Sequence, residues 1–63
     1  MNTEALRNEY RAIRAATCKA AGITVQTFES KVRHIAHEEC DGEECSPVIW
    51  VRSARIFQSE VSQ

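Results

Sequence analysis

The run Cys18-Lys19-Ala20-Ala21-Gly22-Ile23-Thr24-Val25-Gln26-Thr27-Phe28-Glu29-Ser30-Lys31-Val32 places a helix end, a corner and a helix start in immediate succession. Gly22 has no Cβ and takes the left-handed conformation that stops a helix without steric cost. Thr24 then offers a hydroxyl to cap the next one. Upstream, a helix is expected from about Thr3 to Ala21, with Asn2 or Thr3 at its cap and Glu4 in the first turn, where the helix dipole favours an acid. Leu6, Tyr10, Ile13, Thr17 and Ala20 recur at helical spacing as one apolar stripe, with Arg7, Arg11 and Arg14 on the opposite side. Downstream, a second helix is expected from about Val25 to Glu39, with Val25, Phe28, Val32, Ile35 and Ala36 facing inward.

Beyond it, Cys40-Asp41-Gly42-Glu43-Glu44-Cys45 is an acidic turn, with Asp-Gly marking a chain reversal. Ser46-Pro47 opens a third element: a capping hydroxyl, then proline in the first turn, where its missing N–H costs nothing. Val48-Ile49-Trp50-Val51 is rich in strand formers. Strict alternation is absent, however, and Trp50, Ala54, Phe57 and Val61 fall at helical spacing with Ile49, Ser53 and Ile56 beside them. A helix is therefore expected here too. The fold class is all-α, either three helices or a two-helix hairpin with a C-terminal helix, in one domain over residues 1–63.

Two glycines and one proline leave few breaks, which suits long helices. A 63-residue chain buries only about 60% of its unfolded surface, and so gains from a disulfide, a metal or a second copy. No apolar run approaches the roughly 18 residues needed to span a bilayer, and the charged N-terminus has no signal-like apolar core. Three cysteines, an odd number, argue against a disulfide framework and for a reducing cytoplasm; a Cys40–Cys45 disulfide is sterically conceivable, but thiols are expected there. The net charge of −1 is unevenly spread. Six bases face three acids in residues 1–37, then Glu38, Glu39, Asp41, Glu43 and Glu44 follow with no base among residues 38–45. The basic part could face an anionic partner, and could equally be an ordinary solvated surface.

The joint between the first two helices resembles the helix-turn-helix of lac-repressor-type and small phage regulators. A small residue, Cys18, stands four before the turn glycine; Ala21 and Ile23 flank Gly22; Thr24 caps; and an apolar anchor, Phe28, falls six after the glycine. Gly-Ile-Thr-Val-Gln-Thr-Phe over residues 22–28 is similar to the family's Gly-Val-Ser-x-x-Thr-Val. The resemblance implies DNA binding, with Val25, Gln26, Thr27, Glu29 and Ser30 at the groove-facing start of a recognition helix capped by Thr24. Gln26 would be its best base reader, since an amide can pair bidentately with adenine. Arg14, Lys19, Lys31 and Arg33 would grip phosphates. Four features depart from the family: Lys31 stands at a usually apolar position, no separate helix precedes the first one, Glu29 lies near the groove side, and the net charge is −1. In size and charged helical style the chain is also similar to accessory early proteins of temperate phages and plasmids, which implies either a DNA target or a host protein docked through exposed helix faces.

His34, His37, Cys40 and Cys45 have the residue types of a zinc site, but their His-x2-His-x2-Cys-x4-Cys spacing matches no common finger, and no metal or other cofactor is expected. A cysteine nucleophile is disfavoured because the surrounding acids raise a thiol pKa, and a chain this small offers no cleft for paired carboxylates, so no enzyme activity is expected. Ile49, Trp50, Ile56 and Phe57 give the third helix more apolar surface than one small core should cover, and they are expected to form a homodimer interface.

Overall fold

The structure, a computed structural model, describes residues 3–40 and 46–62. It is all-helical: α1 (Thr3–Ala21), α2 (Val25–Cys40) and α3 (Pro47–Val61), with no strand among the described residues. The strand formers at 48–51 are thus helical, as the four- and three-residue spacing of the large side chains requires. No helix among the described residues is long and apolar enough to cross a membrane.

The end of α1 and the starts of α2 and α3 have local causes. Gly22 sits at φ 67°, and the Ile23 N–H donates to the Cys18 carbonyl at 3.2 Å, closing the last turn of α1 across the glycine. Ile23 and Cys18 both pack against the core, the apolar contact that accompanies such a stop. At the start of α2 the Thr24 hydroxyl accepts from the Thr27 N–H at 3.1 Å and donates to Thr27 Oγ1 at 3.0 Å. Ser46 stands at the cap of α3 with Pro47 behind it, but its hydroxyl makes no capping bond. Its carbonyl instead takes the N–H groups of Ile49 and Trp50, at 3.0 and 3.3 Å, so proline and backbone rather than the expected hydroxyl start this helix.

The core runs through one aromatic line with a ring from each helix. Tyr10 meets Phe28 edge-on at 5.9 Å, and Phe28 meets Phe57 edge-on at 5.6 Å, separations at which aromatic pairs attract. Phe28, Val32 and Ala36 of α2 and Ala54 of α3 are fully enclosed. The helix α3 packs along both others, whereas α1 and α2 touch each other least. The third helix therefore completes the three-helix core from the C-terminal side. Ser53 lets α3 approach closely, and its buried hydroxyl is satisfied by the Ile49 carbonyl at 2.8 Å. Ala20, Val25 and Val61, expected in the stripes, are exposed, Val25 at 46%. They sit in terminal turns, where the angle is right but no neighbouring helix reaches.

Candidate nucleic-acid interface and the arginine groove

Successive residues of a helix are 100° apart, so burial of Phe28, Val32 and Ala36 turns Gln26, Ser30, Arg33 and His37 together to the far side of α2. All four are exposed, as are Thr27 and His34 beside them. Lys19, at the end of α1, and Lys31, on the flank of α2, are exposed cations on either side of the corner. Thr24 is exposed, with its hydroxyl occupied in capping. Lys31 accounts for one departure from the resembled pattern. Its helical angle is about 90° from the enclosed face, where no neighbour would cover an apolar residue.

Arg14 occupies a different place from the phosphate grip expected of it. Its Nη1 donates to Glu29 Oε1 at 3.2 Å, tying α1 to α2, and both side chains are partly covered. The carboxylate that stood near a groove-facing surface is thereby turned aside and paired. Tyr10 lies beside this couple, and its phenol pKa is raised by burial first and by the Glu29 carboxylate second, against the lowering influence of Arg14. A second ion pair, Arg55 with Glu9, joins α3 to α1.

Arg7 and Arg11 are likewise not on the far side of α1. With Arg14 they line one wall of an open groove of about 330 Å3, between the first half of α1 and the start of α3. Leu6, Tyr10, Trp50 and Val51 supply its apolar floor. Apolar periodicity could not have located this groove, because it lies where the charged flank of one helix meets the apolar face of another.

The expected apolar interface is reduced. Phe57 is 8% exposed and belongs to the chain's own core, because α3 is clasped by both other helices. Trp50 is half-buried and lines the groove. Ile49 and Ile56 remain, half-buried at a seven-residue spacing on one edge of α3.

His34 and His37 are exposed on α2, and no group of three metal-ligating side chains occurs among the described residues. Cys40 is disulfide-bonded, contrary to the expectation that it remains a thiol, while Cys18 is free. A bonded sulfur has no thiolate to give a metal, and the odd cysteine count loses its force as a sign of a reducing compartment. Cys45, the remaining ligand candidate, lies outside the described residues. Comparison with protein-family models, curated proteins and solved structures finds no match for this chain.

Proposed function

We propose that the chain is a small, non-enzymatic regulatory protein that binds duplex DNA, with α2 as the reading helix. The observation that carries this is the outward stripe of α2, where Gln26, Ser30, Arg33 and His37 stand exposed with no large apolar side chain between them. Hydrogen-bonding side chains on an outward helix are what a major groove reads, and the exposure of Lys19 and Lys31 supports a role for them on the phosphates beside it. The capped corner supports the same reading, since it fixes α2 by a backbone bond across Gly22 and the Thr24 hydroxyl, and neither uses Gln26, Ser30, Arg33 or His37. Pairing of Glu29 with Arg14 removes one electrostatic objection. A second reading, a helical module that docks on a host protein, is favoured by the net charge of −1.

A mobility-shift titration on fragments of the source genome at two salt concentrations tests the proposal. Retarded complexes should form, and affinity should fall steeply with salt as phosphate counterions are released. Gln26→Ala should cost about 1–3 kcal/mol on the preferred sequence and little elsewhere, whereas Lys31→Ala should weaken all sequences alike. Absence of a shift at micromolar protein and low salt transfers the function to the protein-partner reading.

A further inference from the structure

We infer that the groove between α1 and α3 is a docking site for an acidic peptide segment of a partner protein, one that carries a large apolar side chain between its acids. The inference does not rest on DNA binding by α2.

The groove has two chemistries in register. Its floor is apolar: Leu6, Tyr10 and Trp50 are each packed from behind against the core and partly open in front. Such side chains are held in place before anything binds, so a ligand need not order them. Its wall is cationic, with three arginines against the carboxylate of Glu29 inside the groove, and Glu4 borders Arg7 and Arg11 on their outer side. Arg14 is committed to that carboxylate, but Arg7 and Arg11 are exposed and in no ion pair among the described residues. They stand one helical turn apart on α1, so they border the floor along one wall as two successive anion receptors. About 330 Å3 suits one or two large side chains.

Charge complementarity alone would also admit a phosphate backbone. A duplex keeps its bases stacked inside and offers this groove only phosphate and sugar, which leaves Leu6, Tyr10 and Trp50 without an apolar partner. An acidic segment with a Phe or Leu at its centre uses both parts of the site: the side chain covers the floor and the flanking carboxylates meet Arg7 and Arg11.

Trp50 is the only tryptophan in the chain, so its fluorescence reports directly on the floor. The probes are N-acetylated, C-amidated pentapeptides with Phe or Leu flanked by two Glu on each side, with Ala-centred and Gln-flanked versions beside them. Titration into the full chain should give a saturable change in Trp50 emission with the Phe or Leu peptide. The Ala-centred and Gln-flanked peptides should each bind roughly tenfold more weakly or not at all. The pair Arg7→Glu and Arg11→Glu, both at exposed positions, should keep wild-type helicity by circular dichroism and weaken the peptide about tenfold. Gln26→Ala should leave peptide binding unchanged, which separates this site from the DNA-reading face. No saturable response up to about 1 mM overturns the proposal, since even a weak site would respond there. Equal binding of the Ala-centred peptide also overturns it, leaving only a cationic surface. If duplex DNA displaces the peptide and the Arg7/Arg11 variant loses DNA, the arginines belong to a phosphate path and the proposal is again overturned.

Discussion

Thr17 carries a hydroxyl into the core that finds no partner there. The residue is 1% exposed, and its Oγ1 is the buried side-chain oxygen without a hydrogen bond among the described residues. Ser53 is equally enclosed but donates to the Ile49 carbonyl, so the two hydroxyls differ in their bonding and not in their burial. A buried polar group left unpaired costs roughly 1–3 kcal/mol, and valine has nearly the same shape as threonine without that cost. Thr17→Val should therefore stabilise the chain by about 1 kcal/mol, seen as a higher denaturant midpoint with an unchanged slope. A lower midpoint would mean that the hydroxyl is satisfied in solution. The sequence placed Thr17 on the inward stripe correctly, but spacing carries no information on whether a hydroxyl at that angle meets an acceptor. Arg14 teaches the same at a charged position. It was legible as a cation near the corner, and its engagement with Glu29, fifteen residues away, depends on how two helices cross.

At the scale of elements, the corner from Cys18 to Thr27 was the most legible part of the fold, because both its devices are local. A left-handed glycine and a capping hydroxyl act within four residues of themselves, and both do what their residue types imply. Nothing lies within 4 Å of a Cβ built on Gly22, so alanine there meets only the intrinsic penalty of φ 67°. Gly22→Ala should cost about 1–2 kcal/mol, and Gly22→Asn less, since asparagine tolerates that conformation. Thr24→Ala should cost about 1 kcal/mol through the lost cap. Thermal unfolding followed by circular dichroism measures all three, and a Gly22→Ala midpoint equal to wild type would show that the corner relaxes. The third helix was legible for another reason: spacing prevailed over the strand propensity of residues 48–51. Its inward face was only partly legible. Val51 is in the core although the expected stripe ran through Trp50, because α3 is covered on two sides and buries a wider arc than one neighbour would require. The groove was not legible at all, since it belongs to no single helix.

For the whole molecule, the question is how much a second copy still has to cover. The radius of gyration, 11.2 Å, is close to the value of about 10.6 Å for a compact chain of this length, so one copy already closes its own core. Phe57 is inside that core. Phe57→Ala should therefore destabilise by roughly 3–5 kcal/mol at every protein concentration, and it cannot report on pairing. Ile49 and Ile56 are what remains of the expected interface, and a pairing of copies would rest on them. A core this small leaves stability marginal, and covering two isoleucines on each copy couples folding to association by mass action. The wild-type melting temperature is accordingly expected to rise with concentration. A variant with Ile49→Lys and Ile56→Lys should melt at one temperature throughout, with its helicity kept. Lysine can extend into water from both half-buried sites, so the double variant should not open the core itself. Sedimentation at micromolar concentration should give a dimer for the wild type and a monomer for the variant. A wild-type chain that melts independently of concentration and sediments as a monomer would leave Ile49 and Ile56 as ordinary rim residues. Under the proposed DNA-binding reading, a single copy would then meet the duplex with one helix.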